Sequence, residues 1–459
     1  MQSWVVQNLG WLYGVIAVDC VIFIFVIGYR HTGHIRLGPD GAEPDYSTMS
    51  WISMLFAAGL GIGLVFYGPM EPLQHFLEAP PAAGAESGTT DAVLPAMAQS
   101  ILHQASFAWG IYALVGGAIA YSTYRRGRPP LISAVFEPVF PDGSNRALGK
   151  IIDIAAVLVT LFGTATSLGI GALQIRTGTS IVTGQDIEGN GFVVVAMSVL
   201  TVIFILSAVT GIKRGIMLLS NINMGLVVGL ALFVLITGPT LFLLDLLPTS
   251  IYAFFENLLA MLEVNASQGE VESEFVTAWT MLFWAWWISW SPFIGMFIAK
   301  ISKGRTIRQF VTVVVLVPSL ISVAWYVIFG GTAIKLNLGG VDLGIEGSGE
   351  NVMFDIMDNL PLSGLTAIVV IIAVVILFVT AADSATVVMG SMSQSGRAAP
   401  HQAGDHRMGC RTGPDRHLPA ARRRGERAVG TAVDHGRLLA TVRPDHHRDD
   451  GLLGEGPRQ

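Results

Sequence analysis

Residues 51–68 read Trp51-Ile-Ser-Met-Leu-Phe-Ala57-Ala58-Gly59-Leu60-Gly61-Ile62-Gly63-Leu-Val-Phe-Tyr67-Gly68, without a single charge. A run of this length and apolarity reads as a membrane span. Three alternate glycines in its middle are poor helix formers. They permit local unwinding, which frees backbone carbonyls to face an ion or a substrate at mid-depth. The same spacing also fits close helix packing through Gly59 and Gly63, four residues apart. A phosphate-binding loop is excluded, because the spacing is wrong and neither a Lys nor a strand accompanies it.

Working outward, the whole chain has the same character. Of its 459 residues 52% are hydrophobic and 13% charged, about half the charge of soluble domains. Mean hydropathy is +0.59. The fold class is an all-α polytopic membrane protein, which excludes a soluble enzyme, a disulfide scaffold and a nucleic-acid binder. Cys20 and Cys410 are too few to imply a disulfide framework. Nine stretches are long and apolar enough to span: 9–29, 50–69, 94–122, 150–174, 191–212, 217–245, 276–300, 308–331 and 362–386. The stretch 250–262 is shorter, and its apolar spacing fits an amphipathic helix on the membrane surface.

Loop charge orients these spans. One set is basic: Arg30 and Arg36; Arg125, Arg126 and Arg128; Lys213 and Arg214; Lys300, Lys303, Arg305 and Arg308. The alternate loops, 70–93, 180–190, 246–275 and 335–360, are acidic or neutral. The basic set is cytoplasmic, so the first span runs from outside to inside. Met1 then lies outside with almost nothing ahead of it, and the expectation is that an earlier span is missing. Residues 396–459 differ in kind from residues 1–395, which form the transmembrane domain. They carry 12 Arg and no Lys, and lack Phe, Trp, Tyr, Ile, Asn and Ser. That is the composition of GC-rich codons in a wrong frame, and the segment reads as out of frame. The alternative is a disordered basic tail touching anionic lipid.

Four Trp fall within seven residues in Phe283-Trp284-Ala-Trp286-Trp287-Ile-Ser289-Trp290-Ser291-Pro292-Phe293. They lie mid-span, not at the interface where aromatic belts form. Trp286 and Trp290 share one helical face. Aromatic faces attract a quaternary or delocalised cation, so the stretch reads as a binding site for a zwitterion, with core packing as the alternative. Pro292 is expected to loosen the helix there. Trp109 and Tyr112 lie three apart on the third span, a spacing that by itself fits core packing as readily. Thr160 and Thr164 are four apart and line one face of the fourth span. Their hydroxyls suit sodium, unless each bonds back to its own helix. Asp383 is a rare acidic residue near a span end, a functional candidate by its position. No His, Asp and Glu group has metal or nucleophile spacing, and His75 and His103 read as structural. The chain is therefore not expected to be an enzyme and needs no organic cofactor.

Together these strings resemble the betaine/choline/carnitine transporter family. The resemblance rests on Phe56–Gly63, Glu71-Pro72-Leu73, Ala120-Tyr121-Ser122 and Leu219-Ser220-Asn221. It continues through the Trp-rich stretch, Gly304-Arg305-Thr306-Ile307-Arg308 and Ala382-Asp383-Ser384-Ala385-Thr386, and covers roughly residues 9–395. It implies a sodium-symporter-like fold of twelve spans with two inverted five-helix repeats, of which this chain holds about nine. It implies import of a compatible solute of the glycine betaine, choline, carnitine, ectoine or proline type across a bacterial cytoplasmic membrane, with sodium as coupling ion. The implied substrate cage is Trp109, Tyr112, Trp286, Trp287 and Trp290. One implied sodium site uses Thr160, Thr164 and the neighbourhood of Phe293; the other uses carbonyls at Ala57 and Leu60, plus Thr380. The implied partners are the solute and membrane lipid, with a homotrimer formed through 250–262. Three positions depart from the family pattern. Gln104 stands where betaine carriers usually have a cage Trp, which admits ectoine or proline. Ala381 replaces a Ser of the second sodium site, and Leu60 replaces a Met. The alternative expectation is a frameshifted remnant without transport.

Overall fold

The computed structural model describes residues 2–59, 61–141, 147–185, 187, 189–210, 215–343 and 349–394. The tail 396–459 and Leu60 lie outside them. Among the described residues the only β-pairing is an isolated bridge between Arg36 and Thr306. Everything else that is regular is helical, as an apolar chain in lipid requires: each backbone group must be satisfied within its own segment.

The helices are α1 (Gln2–Tyr29), α2 (Thr48–Gly59), α3 (Gly61–Leu77), α4 (Val93–Gln104), α5 (Ser106–Ala120), α6 (Ile132–Val135), α7 (Ala147–Thr183), α8 (Gly191–Thr210) and α9 (Met217–Thr237). They continue as α10 (Thr240–Glu263), α11 (Glu270–Phe275), α12 (Met281–Ile301), α13 (Ile307–Val311), α14 (Val317–Trp325), α15 (Gly331–Leu338), α16 (Asn351–Asp358) and α17 (Ser363–Ser393). Several short helices join into longer rods through π-turns. Val276–Thr280 links α11 to α12, while Thr312–Leu316 and Tyr326–Gly330 link α13, α14 and α15. Among the described residues eight helices are long and apolar enough to cross a membrane, and nine if the bent pair α2–α3 counts as one.

The glycine string does break its span. α2 ends at Gly59, α3 starts at Gly61, and the two axes differ by 69°. Gly61 has φ +48°, the left-handed region that a side chain disfavours.

Two expectations are corrected. The stretch 217–245 is not one span, and 250–262 is not a separate short helix. α9 stops at Thr237, and α10 begins at Thr240 and runs 24 residues. The break is at Gly238-Pro239: Pro239 has no N–H to continue α9 and instead precedes the first turn of α10. At about 1.5 Å per residue α10 is some 36 Å long, enough to span, so brevity no longer argues for a surface position. Pro292 does not interrupt α12. The carbonyl that a Pro at 292 leaves without its donor is that of Ile288, and Ser291 Oγ donates to it at 2.8 Å.

Among the described residues the basic loops at 30–48, 125–128 and 300–308 meet; Lys213 and Arg214 lie outside the described residues. Leu37 N donates to Arg305 O at 2.8 Å, and Gly304 N donates to Leu37 O at 2.8 Å. Arg305 Nη2 donates to Tyr46 O at 2.7 Å, and its guanidinium lies 4.6 Å from the Trp51 ring centroid. Arg125 pairs with Asp40 at 2.6 Å, which holds the Asp40 carboxyl below the usual range. Thr306 and Gln309 form a reciprocal capping box that starts α13. The Gly304–Arg308 string thus ties the 30–48 loop to the start of α13. Large apolar side chains such as Phe162, Ile236, Leu241 and Leu259 stand on the outer faces of α7, α9 and α10, each at least 70% exposed. Those faces suit lipid.

Candidate substrate and ion site

α5 and α12 pack so closely that a Cβ on Gly116 would lie 3.0 Å from Gly295 O. This brings the two aromatic groups together. The Trp109 and Tyr112 rings meet edge-on with centroids 5.7 Å apart, and Tyr112 faces Trp287 at 6.3 Å. Trp287 stacks on Trp286 at 5.5 Å, and Trp286 meets Trp290 edge-on at 5.8 Å. Trp290 reaches Phe293 at 5.8 Å. The five expected cage residues therefore form one continuous aromatic wall across two helices. Trp109 and Tyr112 are fully buried, and Trp287 and Trp290 are 5% exposed.

Sequence spacing missed Tyr67 and the packing role of Phe283. Tyr67, on α3 past the break, meets Trp286 at 5.8 Å and Phe283 at 5.0 Å. Its place in the glycine-rich string was the available signal. Trp284 points the other way, with its ring 3.1 Å from where a Cβ on Gly14 of α1 would stand.

The wall is fitted with small residues where helices cross it. A Cβ on Gly59 would fall 2.2 Å from the Trp109 ring, and one on Gly163 would fall 2.4 Å from Trp290 Nε1. Trp287 Nε1 donates to His103 O at 2.8 Å. Trp109 Nε1, Tyr112 OH and Trp290 Nε1 are buried without a hydrogen-bond partner among the described residues. Buried polar groups of this kind are normally satisfied; Trp284 Nε1, off the wall, is likewise buried without a partner among the described residues.

The hydroxyls expected at sodium sites divide. Thr160 Oγ1 donates to Ala156 O at 2.7 Å, and Thr380 Oγ1 donates to Ile376 O at 2.9 Å. Both bond back to their own helix, which leaves their oxygen lone pairs free for a cation. Thr164 Oγ1 is buried and without a partner. Phe293 is 1% exposed on α12. Ala57 is among the last four residues of α2, whose carbonyls have no acceptor role within the helix. Gly171 shows how α7, the break and α17 converge: its Cβ would lie 2.6 Å from Ile62 and 3.3 Å from Phe378. Leu60 lies outside the described residues.

One cluster forms in space that no sequence spacing shows. Glu71, His75 and His103 are each at most 1% exposed and present ligand atoms within 4.8 Å of one another. Glu71 and His75 are four apart on α3, but His103 is 32 positions further along, so no spacing motif reveals it. Gln104, at the position where a cage Trp is usual, donates to Glu71 Oε2 at 3.3 Å and belongs to this cluster.

The fold and the wall define a polytopic helical membrane protein with a buried aromatic site beside a broken helix. The family comparison makes this definite: residues 1–411 match the model of the BCCT, betaine/carnitine/choline family transporters, and the chain belongs to that family. It is a multi-pass protein of the bacterial cytoplasmic membrane, in a family of transporters and not of enzymes. It is 46% identical over 404 residues to the betaine/ectoine transporter LcoP of Corynebacterium glutamicum, which covers 88% of this chain and 64% of that protein. It is 38% identical over 401 residues to the glycine betaine transporter OpuD of Bacillus subtilis, covering 87% of this chain and 77% of that one. It is also 38% identical over 418 residues to a glycine betaine/proline/choline transporter of Vibrio parahaemolyticus, covering 86% and 74%. The chain thus spans less than two thirds of the length of the Corynebacterium relative.

Proposed function

We propose that the chain forms the solute-binding membrane domain of a secondary carrier that imports a compatible solute with sodium. The observation that carries this reading is the wall from Trp109 and Tyr112 through Trp287 and Trp286 to Trp290, with three unpartnered donors along it. A quaternary or delocalised cation rests on the ring faces. The solute's carboxylate accepts from Trp109 Nε1, Tyr112 OH or Trp290 Nε1. No protein carboxylate is needed, so a zwitterion binds and leaves intact. Of the solutes in the relatives' names, betaine, ectoine and proline pair a cationic nitrogen group with a carboxylate, while choline shares the quaternary cation alone. Because Gln104 is drawn onto Glu71, the wall has one ring fewer on that side. That favours a ring-shaped solute such as ectoine alongside glycine betaine.

Sodium sits in two places in this reading. One uses Thr160, Thr164 and the backbone near Phe293; the other uses the carbonyls of Ala57 and Leu60 with Thr380. Ion binding at the α2–α3 break favours the outward-open state, and rocking of one inverted repeat against the other then gives alternating access. The apolar face of α10 that includes 250–262 supplies contacts between three copies of the chain.

The test is equilibrium binding of radiolabelled ectoine and glycine betaine to the purified chain in sodium and in potassium buffer. Binding should be at least tenfold tighter in sodium. Thr164→Val should raise the sodium concentration needed for half-saturation while leaving affinity at saturating sodium unchanged. Equal binding in potassium removes the coupling.

A further inference from the structure

Glu71, His75 and His103 have a construction that the transport reading does not use. Their ligand atoms converge, while the other polar atoms of Glu71 and His103 are held from outside. Glu71 Oε1 faces His103 Nδ1 at 2.6 Å and His75 Nε2 at 3.5 Å. Glu71 Oε2 accepts from Gln104 Nε2 at 3.3 Å and from Tyr326 OH at 3.2 Å. His103 Nε2 lies 3.0 Å from Gln99 Nε2 and 3.2 Å from Thr280 Oγ1. His75 Nε2 is buried, aimed at Glu71 Oε1, and makes no hydrogen bond. Its ring is held by Trp279, centroids 4.7 Å apart.

Outer hydrogen bonds that orient a His and a carboxylate, leaving one atom of each turned inward, are the usual surroundings of a metal ion. We propose that Glu71, His75 and His103 bind a divalent transition metal of the Zn2+ type. Two imidazoles and one carboxylate are a common zinc donor set, with bonds of about 2.0–2.2 Å. The Glu71–His103 contact opens by less than about 1 Å to admit the ion at those lengths. Protons balance within the site. The proton that His103 Nδ1 donates to Glu71 Oε1 moves to Nε2, where Thr280 Oγ1 accepts it and the Gln99 amide turns over. Nδ1 then offers its lone pair. The bound ion ties α3 to α4 two residues before α4 gives way at Ala105, where the backbone leaves the helical region with ψ −119°.

Thr280 also lines a cavity of about 500 Å3 whose wall includes Gly14, Asp19, Glu263 and Trp284. The carboxylates of Asp19 and Glu263 draw cations into that cavity, and Thr280 separates it from His103.

The experiment titrates the purified full chain in detergent with Co2+, whose visible absorption is intense when it is four-coordinate, and then displaces it with Zn2+. Six of the ten His lie in residues 396–459 and are common to every variant, so the comparison is between variants of the same chain. His75→Gln is the chosen change, because His75 touches Glu71 only at 3.5 Å and its loss leaves the 2.6 Å Glu71–His103 contact in place. We expect one equivalent of zinc-displaceable cobalt in the unmodified chain, four-coordinate with a water added to the three protein ligands. We expect that signal to vanish in His75→Gln, with cobalt binding at that equivalent at least about tenfold weaker. Thr280→Val, which removes only an outer acceptor, should weaken binding less and retain the spectrum. Identical spectra and affinities in the unmodified chain and His75→Gln overturn the proposal, as does the absence of a four-coordinate signal in both.

Discussion

Two neighbouring regions of the core handle buried polarity in opposite ways. In the wall of α5 and α12, Trp109 Nε1, Tyr112 OH and Trp290 Nε1 have no partner among the described residues. In the Glu71 cluster the outward polar atoms of Glu71 and His103 are held by Gln104, Tyr326, Gln99 and Thr280. Trp287 joins them: its ring belongs to the wall and its Nε1 donates to His103 O. The difference teaches which region is built to exchange its partner. Leaving a buried donor unpaired costs about 1–3 kcal/mol, so the wall gains most when a ligand arrives. In the cluster Glu71 and His103 already hold each other and their outer partners, and only His75 Nε2 is left over, so the cluster's contacts do not depend on the solute.

Four substitutions break or sharpen that contrast. Gly59→Ala attacks the wall alone, since the new Cβ falls 2.2 Å from the Trp109 ring. Overpacking of this kind costs about 2 kcal/mol, so solute affinity should fall roughly thirtyfold. Isothermal titration with glycine betaine or ectoine reads the change. Trp287→Phe keeps a ring but removes the bond to His103 O. The loss is about 1 kcal/mol, roughly fivefold in affinity, with a lower midpoint of thermal unfolding because both regions lose their link.

Ser291→Ala leaves Ile288 O without the donor that replaces the missing Pro292 N–H. In a membrane protein such a bond is worth about 0.6 kcal/mol. The expected result is a small fall in thermal midpoint with solute affinity unchanged, separating scaffold from site. Asp355→Asn probes a place outside both. Burial, then the charges of Asp358 and Asp342, push the Asp355 carboxyl up to about 6. The folded state therefore holds this proton more tightly than the unfolded chain does. The stability it contributes is complete below about pH 4 and is lost as pH rises through about 6. Removing the charge should raise stability at pH 7.5 by no more than about 1 kcal/mol, after allowing for solvent screening. The gain should disappear at pH 4, and melting curves at the two pH values check the sign.

Legibility in the sequence followed chain distance. The wall's α12 half showed at once because four Trp crowd seven positions, and helical spacing put Trp286 and Trp290 on one face. The glycine string announced its own break at Gly59 and Gly61, because glycines in an apolar run have a local effect on the backbone. Tyr67 escaped because its contact with Trp286 depends on the 69° turn between α2 and α3. The Glu71 cluster escaped because its members come from α3, α4, the Val276–Thr280 turn and the Tyr326–Gly330 turn. The boundary at Gly238-Pro239 was visible as a helix-breaking pair, yet continuous apolarity on both sides hid it. The hydroxyls on α7 show the limit of spacing arguments: Thr160 and Thr164 share a face, yet one bonds back to its helix and the other does not.

The central claim is that the aromatic wall is where a small zwitterion binds. Tryptophan fluorescence of the purified chain, titrated with ectoine and with glycine betaine in sodium buffer, tests it most directly. The account predicts a saturable change with at least one of the two solutes, abolished in both Trp286→Ala and Trp290→Ala while Trp284→Phe retains it. A saturable change that survives Trp286→Ala and Trp290→Ala, or no change with either solute in a folded protein, would contradict the account.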